Sequence, residues 1–238
     1  MKKRDVLLLV GSPRGKNSAS LSLGDYLVQQ LKKSGLPATT AFIYPAAQSR
    51  QRSMELAARM KRAAIVILSF PLYVDQLPSP VIGLLERVTA TRRSGRPAPP
   101  RRSGPGLNGE QRLLAIVQCG FPETGQNRPA GEIVRRFALE AGFAWAGCLA
   151  MGMGGASNGR PVGELAGMLR HQIKALNMTA AALTENRSIP AEAFELMARP
   201  VIHHRLYFMM ANLGWRLQAR KNRASARLRD KPYATAGH

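Results

Sequence analysis

Acidic residues are scarce in this chain. Fourteen aspartates and glutamates stand against 35 lysines and arginines in 238 residues, a formal charge of +21 at pH 7. A surface so short of carboxylates gathers anions around it, which admits phosphorylated cofactors, nucleic acid, anionic lipid and acidic redox partners as ligands. Only two cysteines occur, Cys119 and Cys148, without a pairing pattern. No disulfide framework is expected, and a reducing cytoplasm is the expected setting. No apolar run reaches the ~18 residues that a membrane-spanning helix needs. The opening MKKRDVLLLVGSPRG has a basic start but only five consecutive apolar residues and no small-residue cleavage site, so no signal peptide is expected. His171, His203, His204 and His238 share no metal-ligand spacing, and no Ser-His-Asp set can be assembled. Metal hydrolysis and triad chemistry are therefore not expected.

What is present begins with Val6 to Ser20, VLLLVGSPRGKNSAS. Five apolar residues read as a strand buried on both faces. Gly11 ends it, a polar turn follows, and Leu21, Leu23, Leu27 and Leu31 then form a stripe at helical spacing. A strand, a Gly/Ser turn and a helix point unpaired amides and the positive end of the helix dipole into one small volume. Ser12, Arg14, Asn17, Ser18 and Ser20 add hydroxyl, amide and guanidinium donors there. The turn is neither GxxxxGK[ST] nor GxGxxG, so the triphosphate cradle and the dinucleotide fingerprint are both absent. A hydroxyl-rich turn suits a terminal monoester phosphate such as that of FMN. An ordinary polar turn with a serine N-cap is the plainer alternative.

Along the chain, apolar runs at 38–44, 63–69, 112–118 and 143–151 read as further strands. Helices are expected over 51–62, 79–91, 131–142 and 161–186. Strict alternation of strand and helix means a parallel sheet covered on both faces, wound right-handed. Five strands suit the order 2-1-3-4-5, with ligands beyond the carboxyl ends of the strands. That rule gathers the turns after Val10, Ser69, Gln118 and Met151 around one crevice. Pro71, Leu72, Tyr73, Val74 and Asp75 supply an aromatic and apolar loop suited to a flat ring. Cys119, Gly120 and Phe121 supply a second, in which Cys119 reads as a packing residue rather than a nucleophile. The MGMGGASNG loop at 151–159 is a weak nucleotide signal that a tight turn explains equally well. No side chain is assigned a catalytic role; such a crevice leaves the chemistry to a bound cofactor.

Residues 92–112 hold six arginines against Glu110, and residues 199–231 hold nine bases against Asp230, together more than half of the net charge. The first lies in an Arg/Pro/Gly-rich insertion at 92–110. The second lies in a C-terminal helical extension and basic tail, residues 188–238, set apart from a first domain at 1–187. Leu206, Met209, Met210, Leu213 and Leu217 form a helical stripe there, read either as a cover for the core or a neighbouring subunit, or as a membrane-surface helix.

GSPRGKNSAS at 11–20, FPLYVDQLPSPVIGLLE at 70–86 and QCGFPETGQN at 118–127 together resemble the flavodoxin-like NAD(P)H-dependent oxidoreductase (FMN reductase) superfamily over residues 4–186. The resemblance implies a flavodoxin-like three-layer α/β sandwich binding FMN noncovalently. The phosphate would sit on Ser12, Arg14, Asn17, Ser18 and Ser20, and the isoalloxazine between 71–77 and 119–123. It implies hydride from NADH or NADPH and a second, small-molecule acceptor (flavin, quinone or another small electrophile), and a homodimer is expected. Iron–sulfur flavoproteins share GSPR, but their clustered cysteines are missing here and no cluster is expected. A flavodoxin-type electron carrier is the alternative, opposed by the +21 charge because such carriers dock through acidic surfaces. A basic protein binding anionic surfaces through its tail is another. Specific nucleic-acid binding is not expected, since residues 92–112 lack the aromatics that stack on bases.

Overall fold

The computed structural model describes residues 4–93, 111–157 and 159–230. Most of the expected insertion at 92–110 and the tail beyond Asp230 lie outside the described residues. The elements are β1 (Val6–Val10), α1 (Ala19–Lys33), β2 (Ala38–Phe42), α2 (Ile43–Ala47), α3 (Arg50–Arg62), β3 (Ile65–Pro71) and α4 (Ser79–Arg93). They continue as β4 (Arg112–Gln118), α5 (Arg128–Glu140), β5 (Ala144–Met151), α6 (Arg170–Thr184), α7 (Ala191–Ala198) and α8 (His204–Lys221).

The five strands form one parallel sheet in the order β2-β1-β3-β4-β5, as the alternation of elements requires. Every residue of β1 and β3 is buried, because successive side chains enter opposite cores. Val6, Leu8 and Val10 join Ile65, Ile67, Leu114 and Ile116 beneath α1, α6 and α7. Leu7 and Leu9 join Val66, Leu68, Leu113 and Val117 beneath α3, α4 and α5. The result is a three-layer sandwich.

Two elements depart from the sequence pattern. β2 stops at Phe42, two residues early, because Pro45 sits in the first turn of α2, where its missing N–H costs nothing. The long helix expected over 161–186 is broken into a short 3-10 turn, Val162–Leu165, and α6. Gly163 and Gly167 weaken helix formation there, yet Val162, Leu165 and Leu169 stay in the core.

Met1–Val201 and Ile202–His238 are two compact units. The first reaches past residue 187 because α7 places Ala193, Leu196 and Met197 in the core beneath the sheet. Arg4 and Arg112 meet the carboxyl end of α6. Arg4 donates to the carbonyls of Leu183 (3.0 Å) and Thr184 (3.2 Å), and Arg112 to that of Arg187 (2.9 Å). Cations are favoured at that pole of a helix. Burial and the neighbouring Arg4 guanidinium pull Arg112 below its usual range. In the second unit His203 caps the start of α8, its Nδ1 accepting from the Arg205 amide at 3.3 Å. Among the described residues no helix is long and apolar enough to cross a membrane.

β5 carries a bulge: Leu113 pairs with Trp145 and Leu114 with Gly147, leaving Ala146 extra. Gly147 has φ +120°, and a Cβ there would lie 2.4 Å from Cζ of Phe194 in α7. Both the backbone and the ring exclude a side chain. Gly147→Ala is expected to lower stability by about 2–3 kcal/mol, read as a shift of the urea midpoint at unchanged slope; an unaltered midpoint would show that neither constraint is real.

Candidate functional site

At the carboxyl ends of the strands the four turns enclose a cleft of about 230 Å³ lined by residues from all of them. The turn after β1 contributes Ser12, Arg14, Ser18 and Ala19; the loop after β3 contributes Pro71, Leu72 and Tyr73. β4 and its loop contribute Gln118, Cys119 and Gly120, and the loop after β5 contributes Gly154 and Gly155.

The first wall is built for donors. Ser18 is the N-cap of α1: its Oγ accepts from the Leu21 amide at 3.1 Å and donates to the Gly15 carbonyl at 2.6 Å. Ser12 Oγ accepts from the Arg14 amide at 3.3 Å. The amides of Ala19 and Ser20, in the opening turn of α1, have no carbonyl within the helix to bond. Ser20 is wholly buried, and its Oγ has no hydrogen-bond partner among the described residues. An unpaired buried hydroxyl is costly, and this one lies in the first turn of a helix, the end that favours negative charge. Ser69, at the end of β3, donates its Oγ to the Ser20 carbonyl at 2.7 Å. From behind, Gly159 lies so close that a Cβ would sit 2.4 Å from the Asn17 carbonyl oxygen.

The second wall is a tight hairpin. Tyr73 and Gln76 exchange two backbone bonds of 3.0 Å, and Val74 and Asp75 between them have φ +48° and +60°. This is the mirror-image turn that Asn-Gly ordinarily fills; a β-branched valine there is strained. Val74 is 95% exposed at the tip.

The third wall is cross-tied. Cys119 donates its amide to the Met151 carbonyl (3.1 Å), and its carbonyl accepts from Gly154 (2.8 Å). Met153 donates to the Phe121 carbonyl (2.8 Å). Asn127 Nδ2 reaches Cys119 Sγ (3.4 Å), the Thr124 carbonyl (3.2 Å) and the Met151 carbonyl (3.1 Å). Burial pushes the Cys119 thiol up, and Glu123 adds to the rise; bonds to the Phe121 carbonyl and from Asn127 pull the other way. Cys119 is thus a buried thiol in a packed wall. Thr124 Oγ1 donates to the Ala198 carbonyl at 2.9 Å, tying this loop to the end of α7.

Eight of the sequence-assigned residues line the cleft: Ser12, Arg14, Ser18, Pro71, Leu72, Tyr73, Cys119 and Gly120. Ser20, next in the chain to the lining residue Ala19, is buried and outside the lining. Asn17, Val74, Asp75 and Phe121 are exposed and outside its lining. Ala19, Gln118, Gly154 and Gly155 line it without having been singled out. The signal for them was positional: the last residue of β4 and the glycines after β5 sit where an open parallel sheet binds ligands. Among the described residues no group of acids, histidines and cysteines could hold a metal ion.

A sequence model described as the flavodoxin-like fold matches residues 4–148, more than half of the chain. The chain belongs to that family. No curated protein matches it in sequence. Among solved structures, this flavodoxin-like chain is similar to an FMN-dependent NADH-azoreductase from Bacillus anthracis, solved in complex with FMN. The TM-score is 0.53 at 13% identity, covering 76% of this chain and 99% of that one. It is also similar to a Klebsiella pneumoniae protein provisionally assigned as a quinone reductase. There the TM-score is 0.52 at 17% identity, covering 79% of this chain and 87% of the other. At such identities the likeness is one of fold.

Two outcomes follow from the walls. Val74→Asn relieves the positive φ and is expected to raise stability by about 1 kcal/mol, measured by urea unfolding; a decrease would mean the valine makes contacts that outweigh its backbone. Cys119, held as thiol, is expected to react with iodoacetamide at pH 7 at least about tenfold more slowly than a free cysteine. Peptide mass mapping over time reads the rate, and alkylation as fast as in the urea-unfolded chain would contradict the burial.

Proposed function

We propose that the protein is an FMN-dependent oxidoreductase that takes hydride from NADH or NADPH and passes electrons to a small second acceptor such as a flavin, a quinone or another electrophile. The observation that carries this is Ser20 Oγ, buried and unpaired in the first turn of α1 at a cleft whose other walls are apolar and glycine-rich. A monoester phosphate supplies the acceptor that this hydroxyl and the Ala19 and Ser20 amides lack. Ser12 and Ser18 add hydroxyls, and Arg14 adds charge at the rim. Asn17 borders the same turn. Pro71, Leu72 and Tyr73 on one side, with Cys119 and Gly120 on the other, offer a slot for a planar ring, and Val74, Asp75 and Phe121 stand at its mouth. All of these positions fall within residues 1–187, the proposed FMN-binding domain.

Bound FMN supplies hydride acceptance and electron release, which none of the lining side chains provides. The chain's own part is to orient and shield. Leu72 donates its amide to the Gln118 carbonyl at 2.8 Å, which holds the hairpin wall at a fixed distance from the β4 wall. Buried Pro71 and Cys119 exclude water from the floor, while Tyr73, 43% exposed, leaves one side open to a second substrate.

The purified protein is expected to bind FMN with quenching of flavin fluorescence, and the bound flavin's visible absorption to bleach with NADH or NADPH under anaerobic conditions. Ser20→Ala is expected to weaken FMN binding by about tenfold to a hundredfold, the loss of one hydrogen bond to a charged group. Its thermal stability in the absence of FMN is expected to equal or exceed that of the wild type, because an unsatisfied buried hydroxyl is removed. Absence of FMN binding by the wild-type chain would reject the assignment. Binding without bleaching would reject the nicotinamide step.

A further inference from the structure

The flavin cleft leaves α8 unused. Its 18 residues contain no acid. Leu206, Met209, Met210, Leu213 and Leu217 recur at i, i+3, i+4, i+7 and i+11, hence along one side of the helix. All five are exposed, from 42% at Leu206 to 62% at Met209. Trp215 and Phe208, on the opposite side of the helix, are exposed as well, at 68% and 51%. Soluble surfaces rarely leave so many large apolar side chains contiguous and uncovered without a partner.

The charge around them selects the partner. Arg216 and Arg220 lie beside the apolar row, Arg205 at its start, and Lys221, Arg223, Arg227 and Arg229 follow in the turns after the helix. Across residues 202–230 the only acid is Asp230. A second copy of the chain would cover the apolar row but set seven bases against seven, with one acid on each side. A nucleic acid would neutralise the bases and leave leucine and methionine in water. An anionic bilayer meets both needs at once: acyl chains take the apolar row, and lipid phosphates take the arginines, whose long stems reach past buried neighbours. We propose that α8 and the basic turns after it dock in the plane of an anionic lipid surface.

The test uses the full-length protein carrying Trp145→Phe, Trp215→Phe and Met210→Trp, which puts the single tryptophan on the apolar row. Flotation with vesicles of phosphatidylcholine alone, and of phosphatidylcholine with phosphatidylglycerol, is expected to show at least about tenfold stronger partition to the second. The emission of that tryptophan is expected to shift blue on binding and to be quenched by brominated acyl chains, and high salt to release the protein. Met209→Gln with Leu213→Gln keeps every charge and sits on exposed positions. It is expected to reduce partition about tenfold, with the far-ultraviolet dichroism unchanged. Arg220→Gln with Arg223→Gln is expected to reduce it to a similar degree. Failure to float with phosphatidylglycerol vesicles would overturn the proposal. So would flotation unaffected by the Met209/Leu213 substitutions, which would reduce the contact to charge alone. A blue shift of that tryptophan that grows with protein concentration in the absence of lipid would assign the face to self-association instead. None of these readouts involves flavin.

Discussion

Ser69 joins the sheet to the helix on which the cleft depends. Its carbonyl takes the Gly11 amide at 2.8 Å, carrying the β1–β3 ladder one step past the pair Val10 and Ser69. Its hydroxyl donates into the first turn of α1 at Ser20. The apolar row Leu23, Leu27 and Leu31 holds the helix on the sheet, but burial of apolar area has no direction and tolerates sliding along the helix axis. A hydrogen bond is directional. One hydroxyl therefore sets how far the helix start stands above the strand ends, and with it the position of the Ala19 and Ser20 amides.

The walls of the cleft differ in how they are held. The loops after β4 and β5 are laced by backbone bonds among Cys119, Phe121, Met151, Met153 and Gly154, with Asn127 across them. The hairpin after β3 is held by its own two bonds and by Leu72 on Gln118. Such a site has a fixed back and a projecting lip whose backbone is under strain. Strain of this kind persists where the surroundings impose it, commonly beside bound ligands.

Much of this was legible from the residues. Strands buried on both faces read as uninterrupted apolar runs, and alternation with helices left one sheet order to consider, the one observed. The convergence of four turns follows from that order alone. What could not be read is the direction of each loop tip. Val-Asp does not advertise a mirror-image turn, so the positive φ at Val74 and Asp75 and the exposure of the tip are not visible in the residues. Phe121 is exposed, while its carbonyl accepts from the Met153 amide. The bulge at Ala146 was equally hidden, since it depends on Phe194, almost fifty residues downstream and in a helix not assigned to the core.

That bulge also bears on how the protein avoids its own kind. An open sheet has two unpaired rims, each a template for another chain's strand. The β5 rim is kinked at Ala146 and Gly147, which spoils the straight spacing an incoming strand needs. The β2 rim is only five residues long, and Arg59 reaches across to Thr39 Oγ1 at 3.2 Å, setting a cation beside it. Fibril growth along the sheet would have to begin at one of these two places, and each is already blunted.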